Sequence, residues 1–126
     1  MKKIAMLTAV LLAVAPIGRA YAAQPVGVVY FTLWSALLDR PAKAVIKQAA
    51  TKIQHIAAGT VTITGYADTS GSAEANDLLS KLRAQIVIDQ LVADGVPAAR
   101  LKRADRGATP DVGGPNESRR VLISVD

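Results

Sequence analysis

One apolar stripe between two β-branched runs constrains this chain more than any other feature. Leu38, Ala42, Val45, Ile46, Ala49, Ile53 and Ile56 recur at three- and four-residue intervals, the signature of the buried side of one helix about five turns long. Gly59 is placed to end it. Ahead of the stripe, VGVVYFTL at 26–33 is dense in β-branched and aromatic residues and predicts a strand, with Val28 and Tyr30 on one face and Val29 and Phe31 on the other. Behind it, TVTIT at 60–64 alternates strictly and predicts a second strand with Val61 and Ile63 facing inward. A helix with one apolar side, bracketed by strands, must lay that side on a sheet.

The remaining chain repeats the arrangement. A second helix fits 72–93: Ser72 can cap it, Glu74 suits its first turn, and Gly95 closes it. Leu79, Leu82, Ile86, Val87 and Leu91 are its expected buried side. Pro97 starts a turn, 101–105 predicts a short strand, and 119–125 a last one with Val121, Ile123 and Val125 on one face. Between these two, GATPDVGGPNES is a polar loop rich in Gly and Pro. The order β-α-β-α-β-β predicts an α+β fold with two helices packed on one face of a small mixed sheet. No internal repeat, second domain or ten-residue barrel strand is present.

Residues 1–22 stand apart. Lys2 and Lys3 precede the apolar run IAMLTAVLLAVA, Pro16 and Gly18 break it, and Ala20-Tyr21-Ala22 fits signal peptidase, with a cut after Ala23 as the neighbouring choice. The run is too short to span a bilayer, which needs about 20 apolar residues. We therefore expect a cleaved leader at 1–22 and one exported domain at 23–126. Losing Lys2, Lys3 and Arg19 takes the formal charge from +5 to +2, so the high pI belongs mostly to the precursor. The basic segment LKRADR at 101–106 could suggest nucleic acid, but an exported domain does not meet that partner and none is expected. The chain has no cysteine, which excludes disulfides, thiolate metal sites, a cysteine nucleophile and a lipidated N-terminus. With no barrel strands and no lipid anchor, the expected product is a soluble exported protein with no direct membrane span.

The chemistry concentrates in GYADTSGSAEANDLLSKLRA, 65–84. Asp68 follows the second strand, and Thr69-Ser70-Gly71 form a turn ahead of the helix whose backbone N–H groups can face an anion. Asn76 and Arg83, seven residues apart, project from nearly the same side of that helix, about 10 Å apart along its axis. A carboxylate for an ammonium, an arginine fork for a carboxylate and an amide between them suit a zwitterion. An ordinary turn acid and a solvated helix arginine would look the same from residue types and spacing.

This stretch resembles G-H-T-D-x-x-G-x-x-x-x-N-x-x-L-S-x-x-R-A, the pattern of OmpA-like peptidoglycan-binding domains, at eight positions in the right structural order. ESRRV at 117–121 is similar to that family's closing N-R-R-V, and VVYF followed by Ser35-Ala36-x-Leu38 to its opening strand and turn. The resemblance covers nearly all of 23–126. It implies the OmpA-like fold and a domain that grips the diaminopimelate of the peptidoglycan stem peptide, and hence a wall-bound periplasmic protein linked to the outer membrane at most through an outer-membrane protein partner. In that role Asp68 takes the ammonium, Arg83 the carboxylate, Asn76 with Thr69 to Gly71 the peptide, and Arg119 a second carboxylate. Substituting Asp68 or Arg83 is then expected to abolish wall binding without unfolding the domain. The sequence departs from the pattern at Tyr66 and Ala67, at Ser118, and at Thr32, where an acid is usual.

No cofactor or metal is called for. His55, the only histidine, sits near the first stripe without a second ligand and reads as structural. Trp34 reads as a core or cap residue, with contact to a partner or sugar as its alternative. Tyr66 is expected either to stack on a bound peptide or to fill the pocket wall. Asp68 and Glu74 as a hydrolase carboxylate pair would need a deep cleft that about 100 residues struggle to build. The remaining alternative is a domain of this fold that docks to an envelope protein without touching the wall.

Overall fold

The structure, a computed structural model, describes residues 24–108 and 119–126. The expected leader, Ser118 and most of the polar loop lie outside the described residues. The elements follow the predicted order: β1 (Gln24–Tyr30), α1 (Arg40–Gln54), β2 (Val61–Ala67), α2 (Ala73–Ala93), β3 (Leu101–Ala108) and β4 (Arg120–Val125), with a 3-10 turn at Ala98–Arg100 before β3. The four strands lie in the order β1-β4-β2-β3. β4, last in sequence, is central and antiparallel to both neighbours, Tyr30 opposite Arg120 and Gly65 opposite Val121, while β2 and β3 pair in parallel across α2. Both helices cover one face of this mixed sheet, α1 over β1 and α2 over β2 and β3, and Val29, Ile46, Ile53, Ile63, Val87 and Ile123 close a single core between the layers.

α1 is shorter than its stripe. Asp39 caps it, its carboxylate accepting from the Ala42 N–H at 2.9 Å, and Pro41 in the first turn has no N–H to waste. Leu38 and Ile56 therefore pack on the core from outside the helix. The helix ends at Gln54, five residues before Gly59, with His55 as its C-cap; the His55 Nδ1–H donates to the Thr51 carbonyl at 2.8 Å, a structural role as expected. Gly59 instead turns the chain into β2 at φ +117°, where a Cβ would sit 2.7 Å from the Asp126 carbonyl.

β2 runs three residues beyond TVTIT, because alternation continues through Gly65, Tyr66 and Ala67, with Val61, Ile63, Gly65 and Ala67 facing inward. Gly65 is required by the close approach of α2: a Cβ there would run into the backbone carbonyl of Ser80, and Ala84 is the next neighbour. This contact draws the first half of α2 onto the end of the sheet. Gly65→Ala should therefore cost about 3 kcal/mol of stability in denaturant unfolding. A loss below about 1 kcal/mol would show that α2 can lift off the sheet without consequence.

Candidate functional site

Strand direction puts the site at one end of the sheet. The C-terminal ends of β1 and β2, the start of β4 and the N-termini of both helices all meet there. Asp68 is the first residue after β2. Its Oδ1 accepts from the Ser70 N–H at 3.1 Å and the Ser70 hydroxyl at 2.6 Å, an Asx turn that fixes the carboxylate. Gly71 completes the turn at φ +81°, and Ser72 caps α2 by accepting from the Ala75 N–H at 3.0 Å. Asn76, 1% exposed, ties the turn to the helix by donating to the Ser70 carbonyl at 2.6 Å.

The inward side of α2 is only partly the apolar one that the sequence suggests: Val87 and Leu91 are buried as expected and Leu79 and Ile86 half-buried, but polar residues fill its first half. Asn76, Ser80, Arg83, Ala84, Val87 and Leu91 are buried, whereas Leu82 is 51% exposed. The polar half of this stripe covers loop backbone at the sheet end, where carbonyls need donors. Arg83 supplies them. Its Nε donates to the Ser35 carbonyl at 2.8 Å, Nη2 to Thr32 at 3.0 Å and Nη1, more loosely, to Tyr66 at 3.4 Å, and its guanidinium stands 5.2 Å from the centre of the Phe31 ring. The residue is 0% exposed, so it is neither a solvated helix arginine nor an open arm. Three of its five N–H groups are engaged in these bonds.

Arg119 brings the second guanidinium. Its backbone carbonyl accepts from the Phe31 N–H at 2.8 Å, its Nε donates to the Phe31 carbonyl at 3.2 Å, and its Nη1 meets Asp68 Oδ2 at 3.1 Å. Both partners of this ion pair are largely buried, 15% and 14% exposed. Burial pushes the Asp68 carboxyl upward, but the two Ser70 bonds and Arg119 outweigh it and hold the group below its ordinary value. Burial first, then the charge of Arg119, push Arg83 down to about 10, with Asp68 acting against them; it is still charged at neutral pH. Among the described residues the cluster thus holds two arginines against one carboxylate, since Thr32 brings no acid.

Asp68, Gly71, Asn76 and Arg83 therefore converge as the spacing suggested and Arg119 joins them as the family resemblance implied, with Thr69 exposed on the turn beside them. Tyr66 does not line this site. It points to the sheet face away from the helices, where the Arg120 guanidinium lies 3.8 Å from its ring centre. Trp34 caps Gly71 yet is 51% exposed. The roles of Ser70 and Ser35 were not legible in the sequence: Ser35 acts through its carbonyl, which no side-chain signal reports, and Ser70, placed only as part of the turn, fixes the Asp68 carboxylate through its N–H and hydroxyl. Among the described residues no group of His, Asp or Glu could hold a metal ion.

A family model described as the OmpA family matches residues 30–119, from the end of β1 to Arg119. The chain belongs to the OmpA family. Outer membrane protein A of Klebsiella aerogenes is 41% identical over 56 residues, 44% of this chain and 16% of that protein. Peptidoglycan-binding protein ArfA of Mycobacterium bovis is 37% identical over 90 residues, 65% of this chain and 27% of that protein. The chain thus matches only a minor part of these OmpA-family relatives. Among solved structures, the OmpA-like domain of FopA1 from Francisella tularensis superposes with a TM-score of 0.70 at 26% identity, covering 78% of this chain and 69% of that one. The peptidoglycan-associated lipoprotein from Burkholderia pseudomallei superposes at 0.73 with 24% identity, covering 79% and 90%. The α+β architecture is that of OmpA-like domains.

Proposed function

We propose that this OmpA-family domain is a non-catalytic peptidoglycan-binding module that recognises the diaminopimelate of the stem peptide and helps attach the envelope to the cell wall. The observation that carries it is the buried cluster of two guanidinium groups and one carboxylate, in a family with peptidoglycan-binding members. In this reading the ligand ammonium replaces Arg119 on Asp68. Arg119, displaced from Asp68, turns to the ligand carboxylate, and the buried Arg83 behind it adds its positive charge toward the same carboxylate. Asn76, Thr69 and Gly71 keep the turn, and so the Asp68 carboxylate, in place. Guanidinium groups suit this task better than ammonium groups because their planar fork matches a carboxylate.

Supporting an envelope setting, 1–22 has the pattern of a cleaved export leader. No helix among the described residues is long and apolar enough to cross a membrane. We place the protein in the periplasm, bound to the wall, with any outer-membrane link made through a partner. Co-sedimentation with purified sacculi tests the ligand. Walls carrying diaminopimelate should retain the protein, and walls with lysine at the third stem position, which lack the carboxylate for the two arginines, should bind at least about 10-fold more weakly. Equal binding to both would defeat the ligand assignment.

A further inference from the structure

Residues 32–35 form a tight turn, closed by the Ser35 N–H donating to the Thr32 carbonyl at 3.1 Å, and Trp34 holds its third position at φ +57°. Glycine or asparagine fits that position; a bulky aromatic there strains the backbone. The turn holds because Arg83 grips both of its ends, the Thr32 and Ser35 carbonyls. The indole rests on Gly71, where a Cβ would meet its Cη2 at 2.5 Å, and still leaves 51% of the residue exposed. Gly71 itself ends the turn that Asp68 opens. A strained backbone therefore holds an open aromatic surface beside the charged cluster. Packing alone accounts for the buried half of Trp34; among the described residues nothing uses the exposed half.

We propose that Trp34 determines specificity at this site, its exposed indole packing on the aliphatic body of a zwitterionic amino acid whose charged end Asp68, Arg119 and Arg83 read. The proposal rests on the reading above and adds what that reading lacks, a contact for the methylene chain between the charged ends of the ligand. The charged cluster by itself treats all α-amino acids alike. An apolar wall next to it favours a long-bodied one over a short one, because apolar area leaves water only when there is a body to cover.

Trp34 is the only tryptophan of the chain and so reports its own occupancy. Adding free meso-diaminopimelate to the purified protein should change its tryptophan emission, and glycine, a zwitterion without a body, should not. By calorimetry, Trp34→Ala should weaken diaminopimelate binding about 10-fold, Trp34→Tyr should stay within about 2-fold of wild type, and the weak affinity for glycine should be the same in all three proteins. Circular dichroism checks that the variants fold, and the emission measurement on the unmodified protein needs no variant. If diaminopimelate-type sacculi bind with dependence on Asp68 while emission and the Trp34→Ala affinity are unchanged, this inference is overturned and the function above stands. If the unmodified protein binds neither sacculi nor diaminopimelate, both fall.

Discussion

Arg83→Ala should cost about 4 kcal/mol or more and leave the domain folded only marginally. Three contributions add. The Thr32, Ser35 and Tyr66 carbonyls lose their donor in a site closed to water, and a buried acceptor left unsatisfied costs about 1–3 kcal/mol. The vacated guanidinium volume beside Phe31 becomes a void. The turn at 32–35, strained at Trp34, loses its clamp. Against a total stability of about 5–15 kcal/mol for a domain of ordinary size, this loss removes between about a quarter and most of it. Arg83→Lys should fall between, since an ammonium keeps the charge but cannot reach three carbonyls in a plane. Urea unfolding and thermal unfolding, both followed by circular dichroism, are the measurements. A Tm within a few degrees of the unmodified protein for Arg83→Ala would show that Arg83 is only an arm for ligand and that the loop stands without it. The expected outcome also means that lost wall binding in this variant says little about ligand contacts, contrary to what the sequence pattern alone suggests.

That contrast marks how far the residues spoke for themselves. The element order was legible because β-branched alternation and a helical stripe are local signals, and Val61, Ile63, Val121 and Ile123 face inward where alternation put them. The convergence of Asp68, Asn76 and Arg83 was legible from their spacing on a turn and a helix, and Arg119 only from the family resemblance, since β4 reaches the site by a non-local pairing. Depth was not legible. Arg83 and Asn76 lie on the buried side of α2 because Gly65, Ser80 and Ala84 let the helix sink onto the sheet, a consequence of small residues meeting across elements distant in sequence. Leu82 was read as core for the same reason: leucines on α2 outnumber its small buried residues, and only the close approach shows which side goes in. The ion pair of Asp68 with Arg119 joins residues 51 apart and has no local signature.

Asp68→Asn, by contrast, should keep the fold and remove wall binding. The amide keeps an oxygen for the Ser70 N–H and hydroxyl, so the turn survives, but it turns its NH₂ toward Arg119, donor against donor, and has no charge for a ligand ammonium. Losing one charge-assisted contact costs about 2–3 kcal/mol, or about 100-fold in retention on diaminopimelate-type sacculi. Stability should drop by a smaller amount, about 1–2 kcal/mol, because Arg83 and Arg119 then repel each other without a carboxylate between them. The pH dependence separates this from a general loss of packing. The folded pKa of Asp68 lies below its ordinary value, so its contribution is complete above the ordinary carboxylate range and is lost as pH falls through the folded value. Binding and the stability gap between the two proteins should therefore hold from about pH 6 to 8, and both should shrink below about pH 4 as Asp68 protonates. Unfolding curves for the two proteins across that range, with sacculus co-sedimentation at the same points, give the result. A gap that stays constant into acid, or retention of Asp68→Asn on the wall at neutral pH, would remove Asp68 from the role of ammonium acceptor.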